Sequence, residues 1–233
     1  MTGTFLNVAT VLVGGSLGLL VGRRLPERVR ETVMVGIGLI SIILGVKMSL
    51  ETSNTLILLG STILGGFIGE IVGIQKRLDG LGQWFQKKLN RNGEASSRFS
   101  EGFVTASLIF CVGPMTITGS IQDGMSGDFE LLAVKSAMDG FSSIAFAAAF
   151  GPGVLLAGAT VLVYQGGISL GASALSGVMT EAMVHEMTAA GGLMILGIGL
   201  VILDVSRPRV ASFLPALVIA PMLWWLFGVL DVP

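Results

Sequence analysis

Lys135 and Asp139 stand four residues apart in the apolar run AVKSAMDGFSSIAF. At that spacing they share one face of a helix. Ionisable groups inside a membrane-spanning stretch are expensive, so each is a functional hypothesis. One chemistry makes Asp139 an ion or proton site, with Lys135 as a counter-charge released or retained during transport. The other makes the two a permanent structural ion pair. A second concentration of polar groups lies just before them, in FCVGPMTITGSIQDG. Pro114 removes a backbone donor and Gly113 and Gly119 loosen the helix, which predicts a break or kink. Thr116, Thr118, Ser120 and Gln122 then supply hydroxyls and an amide, ending at Asp123. Broken helices beside polar side chains expose carbonyls and helix ends to ions. The alternative is a plain proline kink whose hydroxyls bond back to their own helix. Adjacent antiparallel helices joined by a short loop pack together. Asp139 and the stretch 113–123 are therefore expected to face each other across a polar cavity.

The remaining chemistry is sparser. Glu70, in LGGFIGEIVG, either lines a cytoplasmic vestibule or reaches the interface to pair with Lys76 or Arg77. Asn7 and Gln165 are pathway dipoles or interhelical glue, and Lys47 snorkels toward a membrane surface. His185 is the single histidine. With Glu181 and Glu186 it offers a weak metal-ligand pattern, outweighed by a solvated outer-surface cluster. No metal site or cofactor is expected. GIGLIS and GGSLG are packing glycines with no strand before them, so neither is a nucleotide loop. No hydrolase triad can be assembled from one histidine, and an enzyme is not expected.

The elements that position these residues follow from composition. Of 233 residues, 52% are hydrophobic and 12% charged, and mean hydropathy is +0.83. A soluble domain carries about a quarter charged residues, so there is too little polar material to cover a water-facing surface. Soluble enzymes, nucleic-acid binders, disulfide scaffolds and disordered proteins are excluded as whole-chain readings. The fold class is all-α integral membrane. Spans of about 20 apolar residues fall near 3–22, 33–50, 55–74, 102–121, 132–150, 153–175, 188–204 and 212–230. The first apolar run starts at Gly3 with no basic stretch ahead of it, so it reads as a retained span. Of the 14 Lys and Arg residues, all but Lys47 and Lys135 fall in the loops after spans one, three and seven. Those loops share one side, which the positive-inside rule makes cytoplasmic, with both termini outside.

Three segments complete the outline. Residues 76–91 place Leu78, Leu81, Phe85 and Leu89 at helical spacing beside Trp84, predicting an interfacial helix. Residues 91–100 read as a linker, and Ser176–Met187 as an outer-surface or shallow re-entrant helix. Displacement by 98 or 99 residues aligns parts of the chain with itself: Val13-Gly14-Gly15 falls on Val112-Gly113-Pro114. That suggests an inverted repeat of three spans each, with a division into residues 1–100, 101–176 and 177–233. Gly14, Gly18, Gly65, Gly69 and Gly158 lie on helical faces suited to a homodimer contact.

The opening GTFLNVATVLVGGSLGLLVGRRLPE, the stretch FVTASLIFCVGPMTITGSIQDG and the run KSAMDG resemble the YqgA/YdfK-type family of prokaryotic multi-pass membrane proteins. The resemblance implies a bacterial inner-membrane location and transfers no site residue. Two functions are compatible with the whole: a gradient-driven transporter or channel for a small ion or polar solute, and a non-transporting scaffold or sensor component.

Overall fold

The computed structural model describes residues 1–22, 24–80 and 95–229. All regular elements among them are helical. Besides the helical residues 74–80, they are α1 (Thr2–Gly22), α2 (Glu27–Ser49), α3 (Thr55–Val72), α4 (Ala95–Cys111), α5 (Pro114–Met125) and α6 (Glu130–Phe150). Then come α7 (Gly153–Leu170), the single turn α8 (Ala172–Leu175), α9 (Glu181–Ile202), a 3-10 turn (Val210–Phe213) and α10 (Ala216–Val229). Among the described residues, seven stretches are long and apolar enough to cross a membrane, and the pair α4–α5, bent by 61°, is an eighth if it counts as one span.

The distribution of side chains reports the solvent. Phe141, Leu50 and Ile71 are more than 70% exposed, while Thr4, Asn7, Ser61, Gln165 and Glu186 are fully enclosed. A protein dissolved in water shows the opposite bias. Lipid tails are as apolar as leucine and satisfy no hydrogen bond, so polar groups retreat inward.

The chain forms two compact units. The first comprises Met1–Ile37, Leu78–Cys111 and Met115–Gly177; the second comprises Gly38–Arg77, Val112–Pro114 and Val178–Pro233. In the first unit α1 lies along α6. A Cβ on Gly14 would stand 2.2 Å from the Gly140 carbonyl oxygen, and one on Gly18 2.3 Å from that of Ile144. Only a bare backbone allows this approach. α4 packs on α7, where Ser107 donates to Thr160 at 3.0 Å. Val11, Leu132, Val154 and Val161 fill the space between.

In the second unit α3 packs on α10 and the 3-10 turn. Asn54 caps α3 by accepting the Leu56 N–H at 2.9 Å, and Gly73 closes it at φ +69°, a left-handed conformation that favours glycine. A Cβ on Gly69 would fall 1.8 Å from the Ser212 carbonyl oxygen, whereas one on Gly60 meets nothing closer than 3.4 Å. Gly69→Ala is therefore expected to cost about 1–3 kcal/mol by overpacking and Gly60→Ala almost nothing. Unfolding midpoints in detergent check this; equal midpoints for the two variants would refute the packing argument.

The structure corrects several sequence-based expectations. Residues 74–80 are helical, and the remainder of the expected interfacial helix, including Trp84, Phe85 and Leu89, lies outside the described residues. Residues 95–100, expected in a linker, are the first turns of α4. Ser176–Met187 is not a separate helix: Thr180 caps a new helix by accepting the Met183 N–H at 3.3 Å, and residues 181–187 are the first turns of α9. Gly14, Gly18, Gly65 and Gly69, whose faces suit a homodimer contact in sequence, lie in close contact within the chain, and a Cβ added to Gly158 would stand 3.4 Å from Leu12.

Candidate functional site

Pro114 decides where polar groups gather. In an unbroken helix the Phe110 carbonyl accepts from the amide four residues on, and residue 114 has no N–H to give. α4 accordingly stops at Cys111 and α5 restarts at Pro114, a first-turn position where the missing donor is no loss. The stranded Phe110 carbonyl is taken up from two sides. Lys135 Nζ donates to it at 2.6 Å and Thr116 Oγ1 at 3.2 Å. The other partner of the ammonium is Asp139 Oδ2, one turn along α6. Both charged residues are less than 10% exposed.

α1 and α7 complete the cluster. Asn7 Nδ2 donates to Asp139 Oδ2 at 2.9 Å and to Gln165 Oε1 at 3.0 Å, and Gln165 Nε2 donates to Thr4 Oγ1 at 3.3 Å. An ionised carboxylate only accepts, so Asn7 has to turn its NH2 toward Asp139. Its Oδ1 is thereby left buried and without a partner. Four helices of the first unit thus converge on one ion pair, with the Phe110 carbonyl on the ammonium, the Asn7 amide nitrogen on the carboxylate, and Gln165 holding Asn7 in turn. In this structure the cation that the cluster holds is the Lys135 ammonium itself.

A family model described as "Protein of unknown function (DUF554)" matches residues 2–225. The chain belongs to the DUF554 family. It is 32% identical to "Uncharacterized protein YqgA" of Escherichia coli (strain K12) over 220 residues, covering 94% of each chain. It is 27% identical to "Uncharacterized membrane protein YdfK" of Bacillus subtilis (strain 168) over 226 residues, covering 95% of each. No solved structure matches it.

The other expected site residues of this DUF554 chain are placed as follows. On α5, Thr116 and Ser120 are buried, but Ser120 donates back to the Thr116 carbonyl, while Thr118 and Gln122 are exposed. Asp123 is buried near the other end of α5. It accepts the Gly3 N–H at 3.2 Å and lies 3.0 Å from the Met1 amino nitrogen, so it ties α1 to α5. Ser136 and Ser143 likewise bond their own helix, at 2.6 Å each. Glu70 belongs to the second unit, where it pairs with Arg209 and accepts from Ser212 Oγ at 3.2 Å rather than meeting Lys76 or Arg77.

The expected outer-surface cluster divides. His185 is exposed, with Nδ1 3.3 Å from Glu51 Oε2. Glu186 is fully enclosed, which corrects the expectation of a solvated side chain. Its Oε1 accepts from Ser53 N at 2.8 Å, Ser53 Oγ at 2.7 Å and Asn54 N at 3.3 Å, and its Oε2 from Thr52 Oγ1 at 2.6 Å. The carboxylate closes the loop between α2 and α3 just ahead of the α3 N-terminus, where negative charge is favoured. Sequence reasoning missed it, although an unbroken apolar run follows it to Ile202. Among the described residues, no group of three or more His, Cys, Asp or Glu side chains is placed to hold a metal ion.

Proposed function

We propose that the chain is a transporter or channel for a small ion or small polar solute, driven by a gradient rather than by ATP. The observation that carries this reading is the enclosed Lys135–Asp139 pair, tied to α1 and α7 by Asn7 and Gln165 and to the α4 break by the Phe110 carbonyl. Each charge placed in a span costs about 2.5–3.5 kcal/mol at mid-bilayer. Packing alone is met more cheaply by apolar side chains of similar volume. The broken helix beside the pair is a device that transporters use to bring backbone carbonyls to an ion, and an inverted repeat of three spans each fits the same reading. In this proposal the three basic loops face the cytoplasm and both termini lie outside a bacterial inner membrane. The chain is not an enzyme and needs no cofactor.

A second reading, a non-transporting scaffold or sensor component, is favoured by one observation: Lys135 and Asp139 neutralise each other directly. Flux separates the two. In proteoliposomes, with and without an imposed sodium or proton gradient, the wild-type chain is expected to pass a small ion or solute above the level of empty vesicles. Asp139→Asn is expected to reduce that flux to background while membrane insertion and monodispersity are unchanged. Absence of flux across a broad panel of cations and small solutes would favour the second reading. Wild-type flux from Asp139→Asn would remove the pair from the pathway.

A further inference from the structure

We infer that the Lys135–Asp139 cluster is an exchange site for a monovalent cation, in which the Lys135 ammonium holds the cation position and leaves it by giving up a proton. The inference names the substrate class of the transporter proposed above and rests on that reading for its purpose, though not for its test.

Three observations carry it. The partners around the ammonium are oxygens: the Asp139 carboxylate, which binds it directly, and the Phe110 carbonyl at 2.6 Å. Such hard oxygen ligands also suit an alkali cation. The surrounding polar groups have acceptor capacity to spare, since Asn7 Oδ1 is buried without a partner. Finally, the cluster contains one carboxylate, which balances a single positive charge. A divalent ion would leave an uncompensated charge enclosed, at high cost.

The exchange balances. A cation enters and binds the Asp139 carboxylate; Lys135–NH3+ releases one proton to water and remains as the neutral amine. The site carries the same net charge before and after. Other ionisable groups on the packed elements are few. α4 carries Arg98 and Glu101 in its first two turns and Cys111 at its end, within electrostatic reach of the pair; α6 also begins with Glu130, and α7 brings Tyr164, within reach of Cys111. α1 carries no ionisable side chain. Asp123 of α5 is engaged with Gly3 and Met1, and Arg30 of α2 holds the Ala149 carbonyl toward the far end of α6 at 2.8 Å.

The test is proton release by the purified full chain in weakly buffered detergent with a pH indicator. Lithium, sodium or potassium chloride is added, with choline chloride as the ionic-strength control. At least one alkali ion is expected to release about one proton per chain, as cation binding to a protonated site does, and choline none. Apparent affinity for that ion is expected to fall about tenfold per unit drop in pH, the signature of one exchanged proton. Release is expected to persist in Cys111→Ala and in Tyr164→Phe. It should vanish in Asp139→Asn and in Lys135→Arg, whose guanidinium keeps its proton, each verified as monodisperse. No release from the wild-type chain with any of the three ions would overturn the inference, as would release retained in Lys135→Arg. Vesicle flux without proton release overturns the exchange and leaves the transporter reading standing. Proton release without flux supports the exchange site and counts against transport.

Discussion

Lys135→Met is expected to cost the folded chain about 3–5 kcal/mol, because it leaves the Asp139 carboxylate enclosed without its counter-charge. Adding Asp139→Leu to the same chain is expected to return most of that loss. The double variant removes both charges and puts apolar volume in their place, a change that is often neutral for buried pairs. The argument turns on relative size. Hydrogen bonds between spans average about 0.6 kcal/mol and reach about 1.7 kcal/mol, so losing the one Asn7 contact to Asp139 cannot hide the effect of an unpaired charge. A double-mutant cycle on unfolding in mixed micelles measures the coupling. Additive losses would show that the two residues do not act as a pair.

The second large effect is expected at Glu186. Glu186→Ala strips acceptors from the Thr52 and Ser53 hydroxyls and from the Ser53 and Asn54 amides. The hydroxyls can rotate toward other partners; the two amides cannot. A hydrogen bond to a charged acceptor is worth about 1.5–3 kcal/mol, and water reaches the exposed Ser53 and half-buried Asn54. The loss is therefore expected near about 2 kcal/mol, with faster hydrogen exchange at Ser53 and Asn54. Glu186→Gln keeps one oxygen for those amides and is expected to lose less than half as much. An alanine variant with wild-type stability and exchange would show that the loop is held by something other than this carboxylate.

The parts legible in the sequence are those that lipid dictates. α1, α6 and α7 begin within two residues of the apolar runs that predict them, because an apolar run and a bilayer measure the same length. The break at Pro114 was legible too, since a missing N–H acts locally. Glu186 was not. A short acidic stretch ahead of an apolar run reads as surface, and its burial depends on a loop more than 130 residues earlier in the chain. Nor could sequence choose among the polar side chains of α5. Thr116 and Ser120 face inward while Thr118 and Gln122 do not, a rotation that neighbouring helices impose. The meeting of Asn7, Asp139 and Gln165 is likewise a product of packing, with partners 132 and 158 residues apart.

α4 ends inside the protein, with Phe110 fully enclosed and Cys111 5% exposed. A helix of 17 residues gathers at its C-terminus about half a negative charge from its aligned peptide dipoles. In water that charge is quenched, but here it is met by the Lys135 ammonium on the Phe110 carbonyl. The ammonium therefore answers both a carboxylate and a helix terminus. Removing Asp139 leaves the lysine partly compensated, whereas removing Lys135 leaves two negative ends facing each other. Asp139→Asn should accordingly be the gentler change for folding. The backbone itself makes a potential well for one positive charge, and the side chains deepen it.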